Sequence, residues 1–172
     1  QLPLWHKLLT ELGFEVVVSD ESSRDIYYKG QHTIPSDTVC YPAKLAHGHI
    51  ESLLEKGVDF IYYPCESYNL DEGQSDNHYN CPVVAYYPEL LKANIPQLND
   101  DNFLHPYIDI NLQKHAVSAI TKSLEKYKVN KKDVASALDK AYIALSDYQV
   151  DLIKKSDEII AAARKDGRQI IV

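Results

Sequence analysis

The sequence has no methionine and only three cysteines among its 172 residues. An odd number of cysteines in a chain of this length does not make a secreted disulfide framework, so we expect a cytoplasmic protein. No apolar run approaches the roughly 20 residues that span a bilayer, and no signal-peptide pattern opens the chain. Because the chain begins at Gln1 and ends in the apolar run Arg168 to Val172, we expect a domain excised from a larger protein.

Several common functional signatures are missing as well. The chain has no glycine-rich phosphate loop, no Gly-x-Ser-x-Gly elbow and no prominent Ser/His/Asp spacing. Its formal net charge of −7 argues against a general binder of nucleic acid or acidic membranes. We therefore expect neither kind of partner.

The order of apolar runs and glycines predicts an α/β fold. Residues 2–12 have leucines at helical spacing, and two β-branched or aromatic runs, 14–19 (FEVVVS) and 58–63 (VDFIYY), resemble buried strands of a parallel sheet. A helix ending at Gly57 precedes the second run. We predict a Rossmann-like, doubly wound, mainly parallel sheet of about four strands with flanking helices, in which these two strands are adjacent. Residues 83–85 and 103–110 are the further strand candidates.

The second part of the chain is predicted to be helical. We divide the chain into an α/β domain over residues 1–110 and a helical extension over residues 111–172 that leads into a truncated final strand. Asn111 is a candidate cap for the first helix of the extension. The longest helix is predicted from about 130 to Lys165, with apolar residues alternating four and three apart as in a helix-packing seam. These are Val134, Leu138, Ala141, Leu145, Tyr148 and Leu152.

The three cysteines are the main candidate site residues. Each is next to or near a proline, as in Cys40-Tyr41-Pro42, Pro64-Cys65 and Cys81-Pro82. Cys40 precedes a predicted helix, and Cys65 follows a predicted strand at the edge where α/β sheets bind ligands. Their spacing matches no zinc-finger or ferredoxin run, so the residues alone leave buried structural thiols and a metal site both open.

Three segments carry a resemblance to a known family: IPSDTVCYPAKLAHGHI, VDFIYYPC and DNHYNCPVVAYYPE. They are similar to an uncharacterised domain of bacterial CoA-enzyme activase-related proteins, which are akin to the 2-hydroxyacyl-CoA dehydratases and their ATP-dependent activators. The resemblance implies a [4Fe–4S] cluster held by Cys40, Cys65 and Cys81. It also implies low-potential electron transfer or radical reduction of an acyl-CoA-type substrate, with other domains of the polypeptide or an activator as partners.

The resemblance does not include the activator's ATP-binding loops, so ATP hydrolysis is not implied. We expect the isolated domain to be inactive, and whether it retains the cluster stays open. Two alternatives stay open. One is a non-catalytic structural or docking module, and the other is a zinc site in which His78 joins the cysteines, although His78 also suits a supporting hydrogen bond. His49, on the apolar face of its helix, is the expected core histidine, and His47 is expected to pair with Glu51.

Overall fold

A computed structural model of the chain describes residues 1–73 and 75–170. Six α-helices and two short strands occur within these residues, together with 3₁₀ turns at Gln31–Thr33 and Glu125–Tyr127. In chain order they are α1 (Leu2–Glu11), α2 (Arg24–Gly30), α3 (Tyr41–Glu55), β1 (Ile61–Tyr62), α4 (Pro82–Asn94), β2 (Phe103–Leu104), α5 (Gln113–Ser123) and α6 (Lys131–Lys165). In this part of the chain, none of the helices is both long and apolar enough to cross a bilayer.

The chain divides into two compact units, residues 1–16 with 132–172, and residues 17–131. The first unit contains α1 and most of α6, and the Lys140 ammonium lies 2.5 Å from the Glu11 carboxylate. The predicted seam of α6 is buried from Val134 to Leu145. The division after residue 110 stays a prediction.

The second unit contains the small parallel sheet and its core. Ile61 pairs with Phe103 and Tyr62 with Leu104, and a further parallel bridge joins Cys65 to Tyr107. The core is formed by side chains of the sheet, α3, α4 and the turn after α4, namely Ala43, Ile50, Ile61, Tyr87, Leu91, Ile95, Leu98 and Phe103. Since β1 and β2 are parallel, α4 is the crossover helix between them and starts at the carboxyl end of β1.

The fold is mixed and helix-rich, and the sheet within the described residues has two strands rather than about four. The prediction of a strand at 14–19 is wrong, because Val17 and Val18 are exposed and the segment joins no ladder. Side chains satisfy part of its backbone instead, since the Lys56 ammonium donates to the Val18 carbonyl at 2.9 Å.

The other strand predictions need correction too. Residues 83–85 belong to α4, because Cys81-Pro82 begins a helix there. The runs 58–63 and 103–110 each contain only two strand residues. Proline at 106 cannot donate a ladder hydrogen bond, which helps to end the second strand early. Of the predicted final strand, residues 168–170 are not in a strand, and residues 171 and 172 lie outside the described residues.

Two glycines set the crossing of α2 and α3. A β-carbon built on Gly48 would lie 1.8 Å from the carbonyl oxygen of Ile26, and one on Gly30 would lie 2.2 Å from the amide nitrogen of Gly48. The two backbones therefore approach more closely than any other residue type allows. This crossing holds the amino-terminal half of α3, which carries His47 and directly follows Cys40.

Candidate functional site

Cys40 and Cys81 occupy equivalent positions at the start of two helices. Each is the N-cap residue of its helix, with φ and ψ of −63° and 155° for Cys40 and −62° and 154° for Cys81. A proline lies in the first turn of both helices, and both thiols are exposed. The positive end of a helix dipole stabilises a thiolate or another anion placed there.

Cys65 differs from the other two cysteines because it is buried, with 1% of its surface exposed. Its backbone extends the parallel pairing beyond β1, with its N–H donating to the Pro106 carbonyl at 2.9 Å. Burial, followed by the negative charge of Glu89, raises the pKa of the Cys65 thiol to about 11, although the Tyr107 hydroxyl and the Glu89 backbone oppose the shift. The thiol is therefore protonated at neutral pH in this arrangement.

The loop over residues 66–80 closes on itself at its base. The amide of the Asn80 side chain donates to the Glu66 carbonyl at 2.9 Å, and the Asn80 backbone N–H donates to the Ser67 carbonyl at 2.9 Å. Further out, Tyr68 and Tyr79 form an antiparallel bridge, and their hydroxyls are 2.8 Å apart. Cys65 and Cys81 thus sit at the two ends of a closed loop.

Asn111, which lies outside the 66–80 loop in sequence, hydrogen-bonds to the loop at residues 69 and 71. Its side-chain amide donates to the Asn69 carbonyl at 2.7 Å, and its side-chain oxygen accepts from the Asp71 backbone N–H at 3.1 Å. The predicted cap role of Asn111 is wrong, since Leu112 is the N-cap residue of α5. No sequence pattern indicates this contact, because it joins residues 42 positions apart.

A buried histidine in α3 links this helix to α4. His47 is fully buried, with Nδ1 at 2.8 Å from the Thr33 hydroxyl and Nε2 at 3.0 Å from the Tyr87 hydroxyl. The Thr33 hydroxyl donates its single hydrogen to the Gly30 carbonyl. It must therefore accept a hydrogen bond from His47 Nδ1–H. Nε2 is then the acceptor for the Tyr87 hydroxyl. Burial, with a smaller contribution from His32, lowers the pKa of His47 to about 4, which keeps the ring neutral.

The predicted roles of the two α3 histidines are therefore exchanged. His49, expected in the core, is only partly buried and lies between the hydroxyls of Ser19 and Ser22, at 2.9 and 3.0 Å. His47 does not pair with Glu51, whose carboxylate instead lies 3.6 Å from His32. Gly48 explains the exchange, because it lets α2 approach the helix face that carries His47.

Two tyrosines connect the surroundings of Cys40 with those of Cys65. The pKa of Tyr87 is raised by burial and then by Cys40. The pKa of Tyr63 is raised by burial, then by Tyr87, and next by Cys65. Cys40 therefore lies within electrostatic range of Tyr87, as Cys65 does of Tyr63. We refer to Cys40, Cys65 and Cys81 with these two tyrosines as the thiol edge.

A second polar group adjoins Cys65. The Glu89 carboxylate lies 3.5 Å from His105 Nε2, and His105 Nδ1 lies 3.2 Å from the Phe103 carbonyl. The Tyr107 hydroxyl interacts with both Cys65 and Glu89. Sequence reasoning missed this group because it assigned 103–110 to one strand. One signal could have found the group. His105 follows a strand that runs parallel to β1, so the residues after this strand reach the same sheet edge as Cys65.

A cavity of about 650 Å³ opens beside His105 and Tyr107. The carboxyl end of β2 and the last turn of α5 line it, with Lys122 and Ser123 from the helix. Its volume falls within the range of small-molecule sites. A small organic molecule bound there would contact the Cys65 surroundings through His105 and Tyr107.

His78, the predicted supporting or zinc-binding residue, lies in the closed loop, with Nε2 at 3.5 Å from Asp71. Across residues 1–73 and 75–170, no group of three or more His, Cys, Asp or Glu side chains is arranged to hold a metal ion. The thiols suit an iron–sulfur cluster by residue type and by their places at two helix starts and a strand end. That the three thiols form one ligand set stays a prediction.

The family model described as CoA enzyme activase uncharacterised domain (DUF2229) matches residues 1–172. No curated protein and no solved structure matches the chain. The match includes all three segments around the cysteines and confirms the resemblance seen in the sequence. The chain belongs to the family of CoA enzyme activase-related domains.

Proposed function

We propose that this domain supplies three thiol ligands, from Cys40, Cys65 and Cys81, to an iron–sulfur cluster in a CoA enzyme activase-related protein. The observation that carries the proposal is the closure of the 66–80 loop by Asn80, because it brings the ends that bear Cys65 and Cys81 together. The start of α3 adds Cys40 beside Tyr87. A [4Fe–4S] cluster bound there would supply one-electron chemistry at low potential.

The residues of this chain would bind the cluster and shield it. The dipoles of α3 and α4 favour an anionic group at Cys40 and Cys81. Cys65 must lose its proton to become a ligand, and the Tyr107 hydroxyl and Glu89 backbone favour the thiolate. Tyr87 lies in the core and Tyr63 packs against it, so both rings would add apolar surface near Cys40 and Cys65.

The resemblance to CoA-enzyme activase-related proteins supports a wider role. We propose that a cluster held by Cys40, Cys65 and Cys81 would supply low-potential electron transfer toward an acyl-CoA-type substrate, with an ATP-dependent activator or another domain of the polypeptide as the electron donor. The cavity beside His105 and Tyr107 has a volume suited to part of such a substrate.

Anaerobic reconstitution with ferrous iron and sulfide tests the cluster. We expect a brown protein with about four irons per chain, as a [4Fe–4S] centre requires. Separate Cys40→Ser, Cys65→Ser and Cys81→Ser variants should each lose most of the bound iron, while His78→Asn should keep it. Iron binding that survives all three cysteine substitutions would contradict the proposal.

The second candidate is a structural or docking module without a metal. The protonated, hydrogen-bonded Cys65 thiol favours it, since a thiol in this state needs no metal for its burial. The same reconstitution decides between the two. A colourless, folded protein that takes up neither iron nor zinc supports the module, and zinc uptake that His78→Asn abolishes supports a zinc site.

A further inference from the structure

His49 of α3 lies between two serine hydroxyls from the segment that precedes α2. Its Nδ1 is 2.9 Å from the Ser19 hydroxyl, and its Nε2 is 3.0 Å from the Ser22 hydroxyl. Both distances are within hydrogen-bond reach. A serine bonded to a histidine that a third group orients is the arrangement of an activated nucleophile.

The contact with Ser19 sets which ring nitrogen of His49 carries the hydrogen. In the tautomer that we assign, Nδ1–H donates to the Ser19 hydroxyl, and Nε2 is left as the acceptor for the Ser22 hydroxyl. A histidine nitrogen that accepts from a serine hydroxyl can take its proton when the serine oxygen attacks another atom. His49 Nε2 is therefore placed to act as a base for Ser22.

The surroundings of this group suit the reaction of Ser22 with a molecule from solvent. Ser22 is exposed, whereas Ser19 and His49 are partly buried. Burial lowers the pKa of His49, although a backbone hydrogen bond with Asp20 and the charge of Asp20 oppose the shift. The ring is therefore neutral and able to accept a proton at neutral pH.

Other contacts already hold this segment on α3. The Asp20 carboxylate accepts from the Ser52 hydroxyl at 2.8 Å and pairs with the Lys56 ammonium at 2.9 Å. The Lys56 ammonium also donates to the Val18 carbonyl. The exposed bond from Ser22 adds little to this anchoring, so anchoring alone does not account for it.

We propose that Ser22 is a nucleophile that accepts acyl groups from activated carboxylic esters, with His49 as its general base and Ser19 as the residue that positions His49. The Ser22 oxygen bonds to the ester carbonyl carbon, and the Ser22 proton moves to His49 Nε2. The bond from that carbon to the leaving oxygen breaks, and the leaving alcohol takes the proton from His49. The products are acyl-Ser22 and an alcohol. No cysteine takes part, so this inference is independent of the proposed function.

Timed exposure of the metal-free protein to p-nitrophenyl acetate tests the proposal, and mass spectrometry of proteolytic peptides locates the acetyl groups. We expect Ser22 to be acetylated at least about 100-fold faster than Ser36, an exposed serine whose hydroxyl bonds to Thr38. His49→Gln should slow the reaction at Ser22 by about 100-fold, because the general base is lost. Ser22→Ala should remove the fast acetylation of its peptide, while the matched control Ser36→Ala should leave the rate at Ser22 unchanged.

The pH dependence of acetylation separates a base from a structural contact. The rate at Ser22 should rise with pH to a plateau, with a midpoint below 6.5, because His49 acts in its neutral form and its pKa is lowered from that value. Ser19→Ala should move the midpoint lower still, since the protonated ring loses an acceptor. Circular dichroism checks that every variant is folded. Equal rates at Ser22 and Ser36, or a rate at Ser22 that His49→Gln does not change, would each overturn the proposal.

Discussion

The crossing of α2 and α3 and the thiol edge meet at α3, since Cys40 of the edge is the N-cap of this helix, yet the two are built in opposite ways. At the crossing, Gly30 and Gly48 bring two backbones into contact, and His47 is hydrogen-bonded at both ring nitrogens. At the thiol edge, Cys40 and Cys81 are exposed and a 15-residue loop carries few apolar side chains. The comparison indicates that the α2–α3 crossing with His47, which we call the platform, is fixed, whereas the thiol edge is adaptable. An adaptable edge suits a site that must accept a bound group.

The difference between the three thiols is the largest effect that the comparison predicts. Cys40 and Cys81 should react with a thiol reagent at rates typical of exposed cysteines, because they lie at helix starts on the surface. Cys65 should react about 1,000-fold more slowly, which corresponds to an opening free energy of roughly 4 kcal/mol. Mass spectrometry of tryptic peptides after timed alkylation measures each rate. Equal rates at all three sites would show that the edge is open throughout.

Gly48→Ala probes the platform. The new β-carbon would lie 1.8 Å from the Ile26 carbonyl oxygen, and neither backbone can move without separating α2 from α3. We expect a loss of about 3 kcal/mol or more in the free energy of unfolding, measured by urea denaturation.

Gly57→Ala is the matched control at the end of the same helix. Gly57 has a φ of +69° but nothing within 4 Å of a built β-carbon, so its cost should be backbone strain of about 1 kcal/mol. If Gly48→Ala costs no more than this control, the crossing is less constrained than the contact distances indicate.

His47 makes the stability of the platform depend on pH. Its pKa in the folded chain is about 4, below its ordinary value of 6.5, so protonation favours the unfolded chain. The stabilisation is complete above about pH 6.5 and is lost as the pH falls toward 4, by about 3 kcal/mol.

Urea denaturation at several pH values should show this fall in the wild type. It should be much smaller in His47→Gln, whose side chain does not titrate. Carboxylates such as Glu11, whose pKa is held near 2 by Lys140 and Lys7, affect both proteins equally and cancel in the difference. Parallel curves for the two proteins would exclude His47 as the source.

The parts predicted from sequence are those whose causes are local. Helix α3 ends before Gly57, as predicted, because the positive φ of this residue suits glycine. The long helix ends at Lys165, as predicted. In each case a cap or a glycine stands within a few residues of the boundary.

The parts missed depend on partners distant in sequence. The apolar run at 14–19 has the composition of a strand, yet strand formation requires a neighbouring strand that the described residues do not provide. His47 and His49 are two residues apart, and only the approach of Gly30 in α2 decides which one is buried. For the candidate site, the helix-start position of Cys40 was predicted, whereas the contacts of Glu89, His105 and Asn111 were not.

Tyr87→Phe is the smallest and most specific of the tests, because it removes a single hydroxyl that joins platform and edge. The hydroxyl donates to His47 Nε2 at 3.0 Å and lies within electrostatic range of Cys40. Without it, the buried Nε2 has lost this donor, and we expect a cost of about 1 to 2 kcal/mol in the free energy of unfolding. Tyr86→Phe, at the exposed neighbouring position in α4, should cost close to zero. Equal effects at the two positions would mean that the bond to His47 does not stabilise the fold. A cost confined to position 87, together with unchanged alkylation rates at Cys40 and Cys81, would show that the platform can weaken without opening the edge further.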